Sequence, residues 1–183
     1  MEERNFYRLK FEYLTESEDG SALKKKEEYL VTAINYSDAE TRAMKFIALL
    51  STIDESSIKY EIVKTNIKDI LLTDSFSVER NDDKTVEYYL SEDEKESALY
   101  VVNVEYEIVI NDKIKKEKGQ FYVASENAKS AYEKTQKFLT RFEVGRDWSI
   151  KGIKFDKAET ILITESMHES NVLSSKSCGI FGN

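Results

Sequence analysis

The chain has 183 residues, a net charge of −8 and a hydrophobic fraction of 40%, enough for a real core in one large domain or two small ones. The acidic balance argues against a globally basic nucleic-acid binder. A lone cysteine, Cys178, excludes an internal disulfide and suits a reducing compartment, and no apolar run approaches the ~20 residues of a membrane span.

Proline is absent, and eleven Tyr and nine Phe fall largely in extended runs with Val and Ile, which favours sheet. The first run alternates: Tyr7, Leu9, Phe11 and Tyr13 face one way, Arg8, Lys10 and Glu12 the other. A turn at Glu18-Asp19-Gly20-Ser21 sends the chain back along Lys24 to Ile34. Ser37-Asp38-Ala39-Glu40 reads as a capping box opening a helix. Ala39, Ala43, Ile47 and Leu50 form its apolar stripe, with Met44 beside them. A long strand from Ile58 to Thr73 loses its alternation near Thr65-Asn66, which predicts a bend, a bulge or a change of sheet.

An acidic stretch over 75–98 follows, with Thr85 to Leu90 as a candidate edge strand. Val102, Val104, Tyr106, Ile108 and Ile110 then alternate up to Asn111-Asp112, a turn whose side chains can bond their own backbone. The return strand runs from Lys115 to Ser125. Asn127 is the expected cap of a second helix with the stripe Ala128, Ala131, Thr135, Phe138, Leu139 and Phe142. A last strand from Trp148 to Thr164 breaks near Asp156-Lys157. The Ser- and Gly-rich stretch 166–183 reads as a flexible tail.

These elements repeat. Tyr7-Arg8-Leu9-Lys10-Phe11-Glu12-Tyr13 lies over Tyr100-Val101-Val102-Asn103-Val104-Glu105-Tyr106, and Lys24-Lys25-Lys26 over Lys115-Lys116-Glu117-Lys118. Tyr29-Leu30-Val31 lies over Phe121-Tyr122-Val123, and Ile70-Leu71-Leu72-Thr73-Asp74 over Ile161-Leu162-Ile163-Thr164-Glu165. The expectation is an α+β protein of two tandem ββαβ repeats, mainly antiparallel sheets each with one packed helix. Repeat one covers 1–74, the acidic linker 75–98, repeat two 99–165 and the tail 166–183. One copy alone has too little core, so the two are expected to pack together.

Catalytic signatures are missing. The single His168 lies in the tail, whereas a Ser–His or Cys–His site needs an imidazole held in place. No His and Cys spacing suits zinc, and no Gly-rich loop precedes a helix. Asp82-Asp83 and Glu92-Asp93-Glu94 lack the spacing of a calcium loop and read as solvated linker. No enzyme activity, metal or cofactor is expected.

Two binding features stand out. Lys24, Lys25 and Lys26, and Lys113, Lys115, Lys116 and Lys118, sit on the two hairpins beside Tyr13 and Tyr106. Exposed rings beside such lysines would suit single-stranded nucleic acid, with ammonium groups on phosphates and rings under bases. The competing reading makes the lysines solvated edge protection and the rings core. Trp148, and the apolar pair Ile180-Phe181 in the tail, are candidate partner anchors.

Lys25-Lys26-Glu27-Glu28-Tyr29-Leu30-Val31-Thr32-Ala33, followed by Tyr36-Ser37-Asp38-Ala39-Glu40-Thr41-Arg42, resembles a family of short proteins of Bacteroidetes and their crAss-like phages, catalogued as a domain of unknown function. Leu99 to Tyr106 and Ala158-Glu159-Thr160-Ile161-Leu162 resemble its second half. The longer acidic linker and Ser-rich tail depart from it. The resemblance implies a phage or prophage setting and brings no activity and no site residues. The expected function is a non-enzymatic binding or adaptor module acting through protein contacts, with single-stranded nucleic acid as the alternative partner. Met1-Glu2-Glu3-Arg4 lacks the apolar stretch of a signal peptide, so a cytoplasmic monomer or homodimer is expected, in the host cytoplasm if phage-encoded.

Overall fold

Period-two alternation and two capped amphipathic segments fold here into two sheets, each backed by one helix. A computed structural model describes residues 5–49, 58–72, 76–80, 87–96 and 98–163. The elements in chain order are β1 (Asn5–Glu16), β2 (Ala22–Ala33), α1 (Tyr36–Leu49), β3 (Lys59–Lys64), β4 (Ile67–Leu71), β5 (Phe76–Arg80) and β6 (Glu87–Ser91). After them come β7 (Ala98–Ile110), β8 (Lys113–Ser125), α2 (Ala128–Phe142), β9 (Asp147–Asp156) and β10 (Ile161–Ile163).

The expected long last strands are each two strands in different sheets. One sheet has the order β3-β1-β2-β10-β6-β5 and the other β4-β8-β7-β9. The chain leaves the first sheet at Thr65-Asn66 and the second after Asp156, where the alternation fails. β4 joins β8 in parallel and β10 joins β2 in parallel. Thus the closing strand of each repeat completes the sheet of the other. Compactness divides the chain accordingly: one unit holds β1, β2, α1, β3, β6 and β10, the other β4, β7, β8, α2 and β9.

In the first unit, Tyr7, Leu9, Phe11 and Tyr13 from β1 meet Tyr29 and Val31 from β2 and Ala39, Ala43, Phe46 and Ile47 from α1. The small alanines bring the helix close to the sheet, and both are fully buried. Met44, expected beside the stripe, is exposed, and Leu50 lies outside the described residues. The cap lies two residues before the expected one, at Asn35 rather than Ser37. Asn35 Oδ1 accepts the Asp38 amide at 2.9 Å, and Asp38 Oδ2 accepts the Ile34 amide at 3.1 Å. Asn is as good a cap as Ser, and Asn35-Tyr36-Ser37-Asp38 makes a reciprocal pair in the manner of a capping box.

The second unit packs Val102, Val104, Tyr106, Phe121 and Val123 under Ala131 and Leu139 of α2. Asn127 caps α2 as expected, its Oδ1 accepting the Ser130 amide at 2.9 Å. Ala128 and Phe142, placed on the stripe by their spacing, are exposed, because only Ala131, Thr135 and Leu139 point straight at the sheet. The strand expected at Thr85 to Leu90 is β6. It is not an edge, since it lies between β10 and β5; Thr85 and Val86 lie outside the described residues. Among the described residues, no helix is long and apolar enough to cross a membrane.

Candidate functional site

Both hairpins outrun the strands beside them. β3 pairs with β1 only as far as Glu12, opposite Lys59. β9 follows β7 only to Glu107, opposite Asp147, and β4 meets β8 only from Gln120 onward. Past those points each hairpin is a two-stranded arm. The first turns through Gly20, at φ 79°, with Asp19 Oδ1 accepting the Ser21 amide at 3.0 Å. The second turns through Asn111 and Asp112, at φ 52° and 58°. Both lie in the left-handed region that Asn and Asp tolerate and a two-residue hairpin loop requires.

The lysines on these arms divide into two groups. Glu12 binds Lys24 at 2.6 Å and Lys26 at 3.3 Å. Its counterpart in the second repeat, Glu105, binds Lys116 at 2.9 Å and Lys151 at 3.5 Å. The Lys24 hydrogen bond holds the Glu12 carboxyl below its usual value, and the Lys116 bond does the same for Glu105. Lys25, Lys113, Lys115 and Lys118 form the second group. All four are exposed, and none stands in an ion pair among the described residues.

The rings are not where a base could reach them. Tyr13 is only 8% exposed and Tyr106 only 4%, so neither offers an open face for stacking. Tyr13 lies against Phe11, with ring centroids 5.4 Å apart, and its hydroxyl donates to Glu27 Oε1 at 2.8 Å. Tyr29 donates to the other oxygen of the same carboxylate, also at 2.8 Å. Burial first, and Glu27 second, push the Tyr13 phenol up to about 12 and the Tyr29 phenol higher still. Tyr106 lies beneath the Lys68 ammonium, 5.4 Å from the ring centroid, and Lys68 is also paired with Glu117. Gly119 makes this approach possible, since a Cβ there would stand 3.0 Å from Lys68 Cδ and 3.2 Å from the Tyr106 ring.

Trp148 lies opposite Tyr106 and packs against the α2 core, half-buried. Ile180 and Phe181 lie outside the described residues, as do His168, Cys178 and Asp82-Asp83. Asp93 in the acidic run shapes a turn, its carboxylate accepting the Lys95 amide at 2.9 Å. Among the described residues, no group of three or more His, Cys, Asp or Glu side chains could hold a metal ion.

The residues that sequence reasoning missed are apolar. Val109 and Ile114 face each other across the second arm and are 72% and 67% exposed. Ile110 beside them is 41% exposed, although alternation had placed it in the core with Ile108. α2 and β9 end before they reach these positions. The first arm also exposes Leu14 and Leu23, which lie opposite Lys24 and Thr15 and do not pair with each other. A count of arm residues beyond the partner strands would have found them. A groove of about 650 Å³ also opens in the second unit, lined by Asn66, Asn103, Glu105, Lys118, Gln120 and Lys151 among others. Its amides bond each other, Gln120 Nε2 donating to Asn103 Oδ1 at 2.9 Å.

A family model described as Domain of unknown function (DUF4494) matches residues 5–164. The chain belongs to that family. The DUF4494 match takes in both repeats and both arms. No curated protein and no solved structure matches the chain.

Proposed function

We propose that this chain is a non-enzymatic binding module that works through protein–protein contacts made by its hairpin arms. The observation that carries the reading is the exposed Val109–Ile114 pair, displayed near the end of the second arm. Exposed β-branched pairs at a sheet end favour aggregation unless a partner uses them. Burying either side chain in a partner would contribute roughly 1.5–3 kcal/mol. The placement of the single His168 in the Ser-rich stretch after residue 165, away from both repeats in sequence, supports a role without Ser–His or Cys–His catalysis. The likeness of the Tyr29 to Arg42 run to proteins of Bacteroidetes and their crAss-like phages supports a phage or prophage setting, hence the host cytoplasm.

The test is affinity capture of the tagged chain from infected host cells, with and without nuclease. A partner that survives nuclease and is lost with Val109→Ser/Ile114→Ser is the expected result. No stable partner, or a partner indifferent to those substitutions, overturns the reading. Single-stranded nucleic acid is the second reading, favoured by the four exposed lysines without ion pairs. It has no exposed ring at Tyr13 or Tyr106 to hold bases. It would be established by a gel shift that weakens with salt and with Lys24→Glu/Lys25→Glu/Lys26→Glu.

A further inference from the structure

We infer that the outer edge of β8, from Lys113 to Lys118, takes an extended acidic peptide as an added strand. The inference deepens the binding-module reading and rests on it: it names the form and charge of the partner. Four observations carry it.

The edge is free. β4 pairs with β8 from Gln120 onward, and among the described residues no strand pairs with the outer side before that point. Alternate residues of a strand send N–H and C=O to the same side, so half the backbone groups of this stretch face away from β7. Such a row is a template for strand addition.

The edge is held in shape. β7 and β8 are in register without a bulge from Ala98↔Ser125 to Ile110↔Lys113. A strand already extended loses little freedom when a peptide joins it.

The edge is cationic on both faces. Lys113 and Lys115 point to the α2 side of the sheet, and Lys116 and Lys118 to the other. Among the described residues, only Lys116 of these is in an ion pair, and Glu117 is already taken by Lys68. A neighbouring strand with carboxylates on both its faces would find a cation opposite or diagonal to each. A second copy of the same edge would set lysine against lysine, so the charge also excludes self-pairing.

The first repeat supplies the contrast. β10 covers β2 at Leu30 and Val31, and the Glu159 amide donates to the Glu28 carbonyl at 2.8 Å. Below that point Glu12 occupies both Lys24 and Lys26, which leaves Lys25 without an ion pair among the described residues. The two edges are alike in backbone and unlike in free charge, so the acidic strand belongs on β8.

The probe is a fluorescein-labelled synthetic peptide of alternating Glu and Thr, titrated by anisotropy with the full chain at low salt. A second peptide carries N-methyl groups at every other residue, which keeps its charge and removes its backbone donors. The expected result is saturable binding, about tenfold weaker for the methylated peptide. Lys115→Glu/Lys118→Glu weakens it by about as much, and bound peptide slows amide exchange at one alternate set of β8 residues. Equal affinity for the two peptides overturns strand addition, because charge alone then explains the binding. No binding of either peptide overturns it as well. The peptide experiment uses purified chain, so its failure leaves a captured cellular partner standing, and a failed capture leaves the peptide result standing.

Discussion

Glu27 is the residue whose removal tests the first core most sharply. It sits on β2 opposite Phe11, one pleat from Tyr29 and diagonal to Tyr13, so one carboxylate meets both phenols. Tyr13 and Tyr29 are 8% and 7% exposed. Glu27→Ala leaves two buried donors without their acceptor, at a cost of about 1–3 kcal/mol each; water reaching the half-buried end lowers the total to about 2–5 kcal/mol. With a urea slope of roughly 2 kcal/mol per molar, the midpoint should fall by about 1–2.5 M. Near-ultraviolet circular dichroism of the tyrosines follows the transition. The decisive comparison is a cycle in the Tyr13→Phe/Tyr29→Phe background, where Glu27→Ala should cost less than about 1 kcal/mol. An equal cost in both backgrounds would refute the bridging role and leave Glu27 as a generic surface carboxylate.

Two further outcomes follow from the cores. Leu139→Ala removes a fully buried side chain from the α2 cluster and should cost about 2–5 kcal/mol, read from the urea transition of Trp148 fluorescence; an unchanged transition would mean that α2 does not pack as described. Stability should also fall with alkali. Tyr13 and Tyr106 are pushed up to about 12 from an ordinary value of 10.0, mainly by burial. Below that ordinary value both states hold the protons. Above it the unfolded chain loses them first, so stability declines from there up through the raised values. Tyrosinate absorbance against pH checks this; deprotonation at the ordinary value without unfolding would contradict it.

Much of the fold is legible in local pattern. Alternation in Tyr7 to Tyr13 and Val102 to Tyr106 marks strands because one face of each is buried. The Asn111-Asp112 turn follows from residues that tolerate a left-handed backbone, and the Asn127 cap from a side chain that serves its own backbone. Most of what escaped was set by non-local partners, the local cap of α1 excepted. Asn35 rather than Ser37 caps α1, and the repeat itself held the clue, since Asn35 occupies the place of Asn127. β5 gives no strong signal in the acidic stretch and becomes a strand by pairing outside β6. Tyr13 and Tyr106 look available beside lysines, yet their parity with Phe11 and Val104 commits them to the core. Ile110 shares that parity and is exposed, because the ends of α2 and β9 decide where the core stops.

The exchange of closing strands has a consequence for biosynthesis. The seat beside Leu30 and Val31 stays vacant until Ile161 and Leu162 have been made, so the earliest sheet to emerge is among the last to be finished. Contacts of such long sequence separation slow folding. A nascent chain halted anywhere before Ile161 would expose an unfinished parallel seam, and severing the polypeptide between the repeats would yield halves that each carry the other's missing piece.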